Sequence, residues 1–215
     1  MRIEVENEQI RARKKQEYID LVTEMEAKGY QEHLEKISIV GANVFGILVF
    51  IVVGAIAAGL FLLIYGTDSI KDFFGSMNHF VWMLLFFAVY FVQIFVHEFI
   101  HGFLWHLSCE KKWDSIDFGF NAKNITPYCH CREALSRKMY CIGALGPTIL
   151  LGIVPIIIGI LMRNWFVLAT GVIGVVGGCG DILVVFTLRK HKDCMLFDHP
   201  YEVGYAYFDK KPENQ

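Results

Sequence analysis

Residues 79–107 read HFVWMLLFFAVYFVQIFVHEFIHGFLWHL. The run contains no Lys, Arg or Asp, and it exceeds the roughly 20 residues that an α-helix needs to cross a hydrocarbon core. Three other runs share its character, Ile37–Tyr65, Met139–Met162 and Trp165–Leu188, and none contains Lys or Arg. In lipid a helix satisfies its own backbone hydrogen bonds. A barrel strand would show alternation instead of continuous apolarity. The expected fold is therefore an all-α integral membrane protein with four transmembrane helices at 37–65, 79–107, 139–162 and 165–188. Composition agrees: of 215 residues 54% are hydrophobic and 20% charged, with a mean hydropathy of +0.41, too apolar for a disordered chain.

The 20 Lys and Arg nearly balance the 22 Asp and Glu, for a net charge of −2, so the chain lacks the bulk basic footprint of a nucleic-acid binder. Their placement is more informative. All basic residues except Lys71 and Arg163 lie before the first run, between the second and third, or after the fourth. By the positive-inside rule both termini and the 109–138 segment face the cytoplasm of a multi-pass cell-membrane protein. Cys109, Cys129, Cys131 and Cys194 then sit in a reducing compartment and Cys141 and Cys179 within the membrane. The first 36 residues are too polar for a cleavable signal, so no structural disulfide is expected.

The chain divides into a cytoplasmic segment (1–36), a four-helix membrane domain (37–188) and a cytoplasmic tail (189–215). In the first, Tyr18, Leu21, Val22 and Met25 recur at helical spacing behind a basic run at 11–15, the pattern of an amphipathic helix lying near anionic headgroups. Between the second and third runs Ile116, Phe118 and Phe120 alternate with polar residues. A turn at Asn121–Asn124 leads into Ile125–Cys131, which predicts a short β-hairpin-like segment.

All acids but two lie outside the apolar runs. The exceptions are Glu98 and Asp181, and an ionisable side chain within a membrane helix marks a functional site by default. Glu98 belongs to His97-Glu98-Phe99-Ile100-His101, an HExxH motif. Two His four residues apart project from one helix face, as two imidazoles binding one Zn²⁺ require, with Glu98 placed to take a proton from water. The bland alternative makes these residues buried interhelical hydrogen-bonding groups, or a haem or proton-relay site. Haem is disfavoured because the other three runs contain no His.

A zinc site needs a third protein ligand, and Asp181 is the remaining acid. Thr170, Gly171, Gly174, Gly177 and Gly178 precede it, a small-residue face that would let the fourth helix approach a neighbour closely. Measured from Lys111 and Arg189, His101 and Asp181 lie at similar depths, roughly 15 and 12 Å at 1.5 Å per residue. Cys179 is offset around the helix from Asp181 and should face elsewhere. His130, between Cys129 and Cys131, lacks the paired spacing of a structural zinc site, and strand alternation points it away from both.

HEFIH near the end of a membrane helix, PYCHC after it and a later GGCGDI together resemble the bacterial membrane zincin peptidases, a family distantly similar to the site-2 intramembrane metalloproteases. The likeness covers about residues 80–205, including the tail stretch FDHPYEVGYAYF. It implies a zinc metalloprotease with one Zn²⁺ per chain, His97, His101 and Asp181 as ligands and Glu98 as general base. Its partners would be membrane lipid and a peptide or membrane-protein substrate. The site-2 pattern carries an Asp-Gly pair, whereas here Gly180 precedes Asp181 and Ile182 follows. The rival readings are a transporter or proton-relay protein using the same four groups, and a catalytically silent metal-binding scaffold. No sequence feature specifies an oligomeric state.

Overall fold

Each apolar run folds as helix in the computed structural model, which describes residues 2–75, 78–121, 126–199 and 204–211. Helix α1 (Arg2–Ala27) leads through β1 (Tyr30–Lys36) into α2 (Ile39–Tyr65), and α3 (Asp68–Gly75) precedes α4 (His79–His106). Strands β2 (Ile116–Asn121), β3 (Thr126–Cys131) and the short β4 (Leu135–Ser136) follow. The third apolar run comprises α5 (Arg137–Pro147), a π-helical stretch (Thr148–Ile153) and α6 (Val154–Leu161). The fourth comprises α7 (Trp165–Gly177) and α8 (Cys179–Thr187), after which come β5 (Cys194–Asp198) and β6 (Gly204–Lys210). Polar side chains mark several helix starts: Ser38 accepts from Gly41 N, Asn78 from Phe80 N, and Asn164 from Phe166 N and Val167 N.

Three helices, Ile39–Tyr65, His79–His106 and Arg137–Leu161, are long and apolar enough to cross a membrane. The fourth run qualifies only as a pair bent by 44°. Much of their outer surface consists of exposed Val, Ile, Leu and Phe, a surface suited to lipid. Inside the bundle α2 packs on α7 through Ala57, Phe61, Leu168 and Val172, and the Tyr65 hydroxyl donates to Ile160 O at 2.7 Å.

The small-residue face of the fourth run lies against the third run. A Cβ on Gly174 would lie 2.0 Å from Leu151 O, and one on Gly171 would lie 2.6 Å from Ile156 N. Those glycines press α7 onto the backbone of the third run. The helix then breaks at Gly178, so Asp181 does not continue the glycine face but stands in the first turn of α8.

The chain is not purely α-helical, and this corrects the expected class. Four antiparallel strands form a sheet in the order β1-β6-β5-β4, with Tyr30 opposite Lys210 and Lys36 opposite Gly204. Segments before, between and after the apolar runs thus share one sheet. Helix α1 covers it: Tyr18, Leu21, Val22 and Met25 pack with Phe197, Ala206 and Phe208. The amphipathic face is therefore buried on protein. A second sheet pairs β2 with β3, Ile116 opposite Cys131, which is the expected hairpin. Its turn at 122–125 and Pro200–Val203 of the tail stretch lie outside the described residues. The two sheets form a collar at one end of the bundle, and a core of Trp105, Ile116, Leu135, Tyr140, Leu188, Leu196 and Tyr205 joins them to the helices.

Candidate metal centre

Helix α4 carries His97, Glu98 and His101 at its collar end. His101 is buried, and its Nδ1 lies 2.9 Å from Gly143 O. A carbonyl only accepts, so Nδ1 carries the proton and Nε2 presents its lone pair to the cluster. The ring stacks on Trp105 at 5.1 Å, and Trp105 Nε1 donates to Tyr140 O at 3.3 Å. Residue 143 must be glycine for this packing, because a Cβ there would sit 2.0 Å from Trp105 Nε1. One turn before His97, Gln93 Nε2 donates to Thr170 O at 3.3 Å and ties α4 to α7.

The break at Gly178 turns α8 so that Asp181 meets the two imidazoles. His97 Nε2 lies 3.0 Å from His101 Nε2, and Asp181 Oδ2 lies 3.2 Å from the former and 3.5 Å from the latter. Among the described residues these three form the one group of His, Cys, Asp or Glu able to hold a metal ion. The separations test the fit. Zinc–ligand bonds of about 2.0–2.1 Å at tetrahedral angles place donor atoms roughly 3.3 Å apart, and the three observed distances bracket that value. Two imidazole nitrogens facing each other beside a carboxylate also require a proton or a cation between them. Thus His97, His101 and Asp181 converge as expected, while Cys179 packs toward Gly46 of α2.

Glu98 stands outside the triad. Its Oε2 accepts the backbone N–H of Cys129 at 2.8 Å. The group opens into a cavity of about 310 Å³ whose wall includes Glu98, Cys129, Tyr140, Asp181 and Asp198. Three of these had no role in the sequence reading. The Tyr140 hydroxyl donates to Asp198 Oδ1, bringing β5 of the collar into the cavity wall. Burial pushes the Asp198 carboxyl up to about 6, the Tyr140 hydrogen bond opposing it. Burial, reinforced by the charge of Glu98, pushes the Cys129 thiol up. It stays protonated at neutral pH and does not compete as a thiolate ligand. FDHPYEVGYAYF contained the signal for Asp198, an acid beside a run of aromatic strand formers. Nothing local placed that strand against α4.

His130 is buried and set edge-on to Phe197 at 5.2 Å, away from the triad. Burial drives its imidazole down to about 4, with Lys14 adding to the effect. All six cysteines are free thiols, with Cys109 Sγ and Cys131 Sγ 3.3 Å apart.

Residues 90–196 match a family described as "putative zincin peptidase". That stretch contains the three converging donors and Glu98, and it ends two residues before Asp198. No curated protein and no solved structure matches the chain.

Proposed function

Because the chain belongs, through residues 90–196, to this zincin peptidase family, we propose that it is a zinc-dependent peptidase of the membrane, with His97, His101 and Asp181 as ligands and Glu98 as general base. The observation that carries the reading is the convergence of two imidazole nitrogens and one carboxylate oxygen within 4.8 Å of one another, next to a carboxylate that is not itself a donor. A zinc ion held there supplies a field that polarises a peptide carbonyl and makes water acidic near neutral pH. The chain's own groups do the rest. His101 is kept in the binding tautomer by Gly143 O, and Asp181 offsets the positive charge. Glu98 takes a proton from water in the cavity and delivers it to the leaving amine. The collar walls part of the cavity through Cys129 and Asp198, and on this reading water and an extended peptide enter from the collar end, the cytoplasmic side by the distribution of Lys and Arg. The proton-relay reading is weaker, since a groove nearer the bundle's middle is walled by Ala88, Val89, Val92, Val96 and Leu151, with Gln93 as its one polar residue.

The test is metal content and hydrolysis on the purified full chain. Wild type prepared without chelators should hold about one zinc, and E98Q should hold the same. Hydrolysis of labelled casein should be lost in E98Q. D181A should weaken zinc binding by tenfold or more. A zinc-free wild type, or an E98Q as active as wild type, overturns the reading.

A further inference from the structure

The β3 edge next to Glu98 presents it with a main-chain donor. Antiparallel pairing alternates between residues that exchange ladder hydrogen bonds and residues whose N–H and C=O point outward. Cys129 stands opposite Phe118 and Pro127 opposite Phe120, and these belong to the outward-facing set. Arg132 N donates to Ser115 O at 2.8 Å, in phase with that alternation. Pro127 has no N–H to offer. Cys129 and Cys131 are thus the residues of β3 with an outward N–H, and that of Cys129 goes to Glu98 Oε2 at 2.8 Å.

The hairpin that carries this N–H is fixed on three sides. Phe118 and Ile116 lie over Gly102, where a Cβ would come within 2.5 Å of Phe118 Cζ. Glu133 accepts from Glu110 N at 2.7 Å, from Lys111 N at 3.0 Å and from the Ser115 hydroxyl, which clamps the hairpin base to the end of α4. From α1, Arg13 reaches Asp117 at 3.1 Å, Asp117 also takes two bonds from Arg132, and Lys14 Nζ donates to the Tyr128 hydroxyl at 3.0 Å.

We propose that the backbone N–H of Cys129 is a positioning group for Glu98. It anchors one carboxylate oxygen so that the other is presented to water in the cavity, and the braced hairpin makes that anchor rigid. The proposal rests on the reading of Glu98 as the base. A free glutamate side chain samples several rotamers, whereas a base acts only within hydrogen-bond reach of the proton it takes. On this account PYCHC serves the site through its main chain, not through a thiol or the imidazole.

The experiment is residue-resolved amide hydrogen exchange on the full chain in detergent after zinc removal, comparing wild type, E98A and E98Q. The amide of Cys129 should exchange at least tenfold faster in E98A. E98Q keeps an acceptor oxygen and should hold most of the protection, and the ladder amides of Tyr128 and His130 should not change. An unchanged Cys129 amide in E98A, or uniform acceleration along the hairpin, overturns the proposal. For the catalytic consequence, C129P deletes the N–H at a position where an edge strand tolerates proline. It should hold zinc but lower kcat on labelled casein tenfold or more at similar KM, with C129A recovering most of the loss. Equal kcat in C129P and C129A overturns the positioning role. If C129P fails to fold, exchange in E98A decides. Exchange reports the contact whether or not casein is cleaved, so failure of the peptidase reading and failure of the contact give different results.

Discussion

The helical bundle and the collar meet at the same cavity but are built on opposite principles. The bundle supplies His97, His101 and Asp181 from two helices whose apolar runs define them locally, and a glycine break aims the last donor. The collar supplies Cys129, through its main chain, and Asp198, and it exists only because strands from distant parts of the chain pair, Tyr30 with Lys210 at the extreme. The first half can be specified residue by residue. The second depends on long-range closure, where loop entropy precedes any reward. The chemistry proposed here draws its ligands from the first and its precision from the second.

The sharpest way to test that division is E98Q. It should lower hydrolysis by about 10²- to 10⁴-fold, the usual worth of a general base, with zinc content and thermal stability unchanged. An E98Q chain that also lost zinc would mean the two halves of the site are not separable. The converse is F208A. Phe208 is fully buried between α1 and the sheet, so truncation should cost about 3–5 kcal/mol of collar stability, read by limited proteolysis of the 189–215 segment. Zinc affinity should fall far less than in D181A; equal losses would show that the collar builds the metal site itself.

A third prediction concerns pH and follows from two collar groups with opposite linkage. Asp198 is raised to about 6 in the folded chain, so its contribution is fully present below the unfolded carboxylate value and is lost as pH rises through about 6. His130 is lowered to about 4. The unfolded chain therefore takes up a proton first, and stability is lost as pH falls from about 6.5 toward 4. Each effect is worth up to about 3 kcal/mol. Over pH 4–6.5 they offset, and wild-type stability should be nearly flat. D198N should become less stable as acid is added across that window, and H130F more stable. Parallel curves for the two variants would refute the opposition. The smallest effect is expected from D117N. Arg132 and Arg13 hold the Asp117 carboxyl below its usual range against the cost of burial, and loss of this part-exposed network should cost about 1–2 kcal/mol, seen as faster exchange along β2.

What was legible in the sequence follows the same line. Continuous apolarity announced the helices, and the 100° helical step placed His97 and His101 on one face, because both signals are local. Asp181 emerged as the acid left over, although its aim comes from a break at Gly178 that helical periodicity alone does not predict. The YQEHLEK stretch of β1 has no apolar alternation, and its partner Gly204–Lys210 lies almost the whole chain away. For the same reason α1 read as a headgroup-bound helix: its apolar face was visible, but the sheet that buries it was not.

The sheet also constrains how the chain is threaded. Hydrogen-bonded strands cannot be separated by a bilayer, so β1, β4 and β5, members of one sheet, share a side, and the chain between successive members must return to the side it left. On the proposed membrane reading, α2 and α4 are the two passages between β1 and β4. Between β4 and β5 the third apolar run must likewise be answered by a return, and the bent pair at Trp165–Gly177 and Cys179–Lys190 is the remaining segment able to provide it. On the proposed membrane reading, parity makes the kinked segment a complete crossing, independently of the charge distribution. The kink that aims Asp181 is thus set into a helix the topology cannot dispense with.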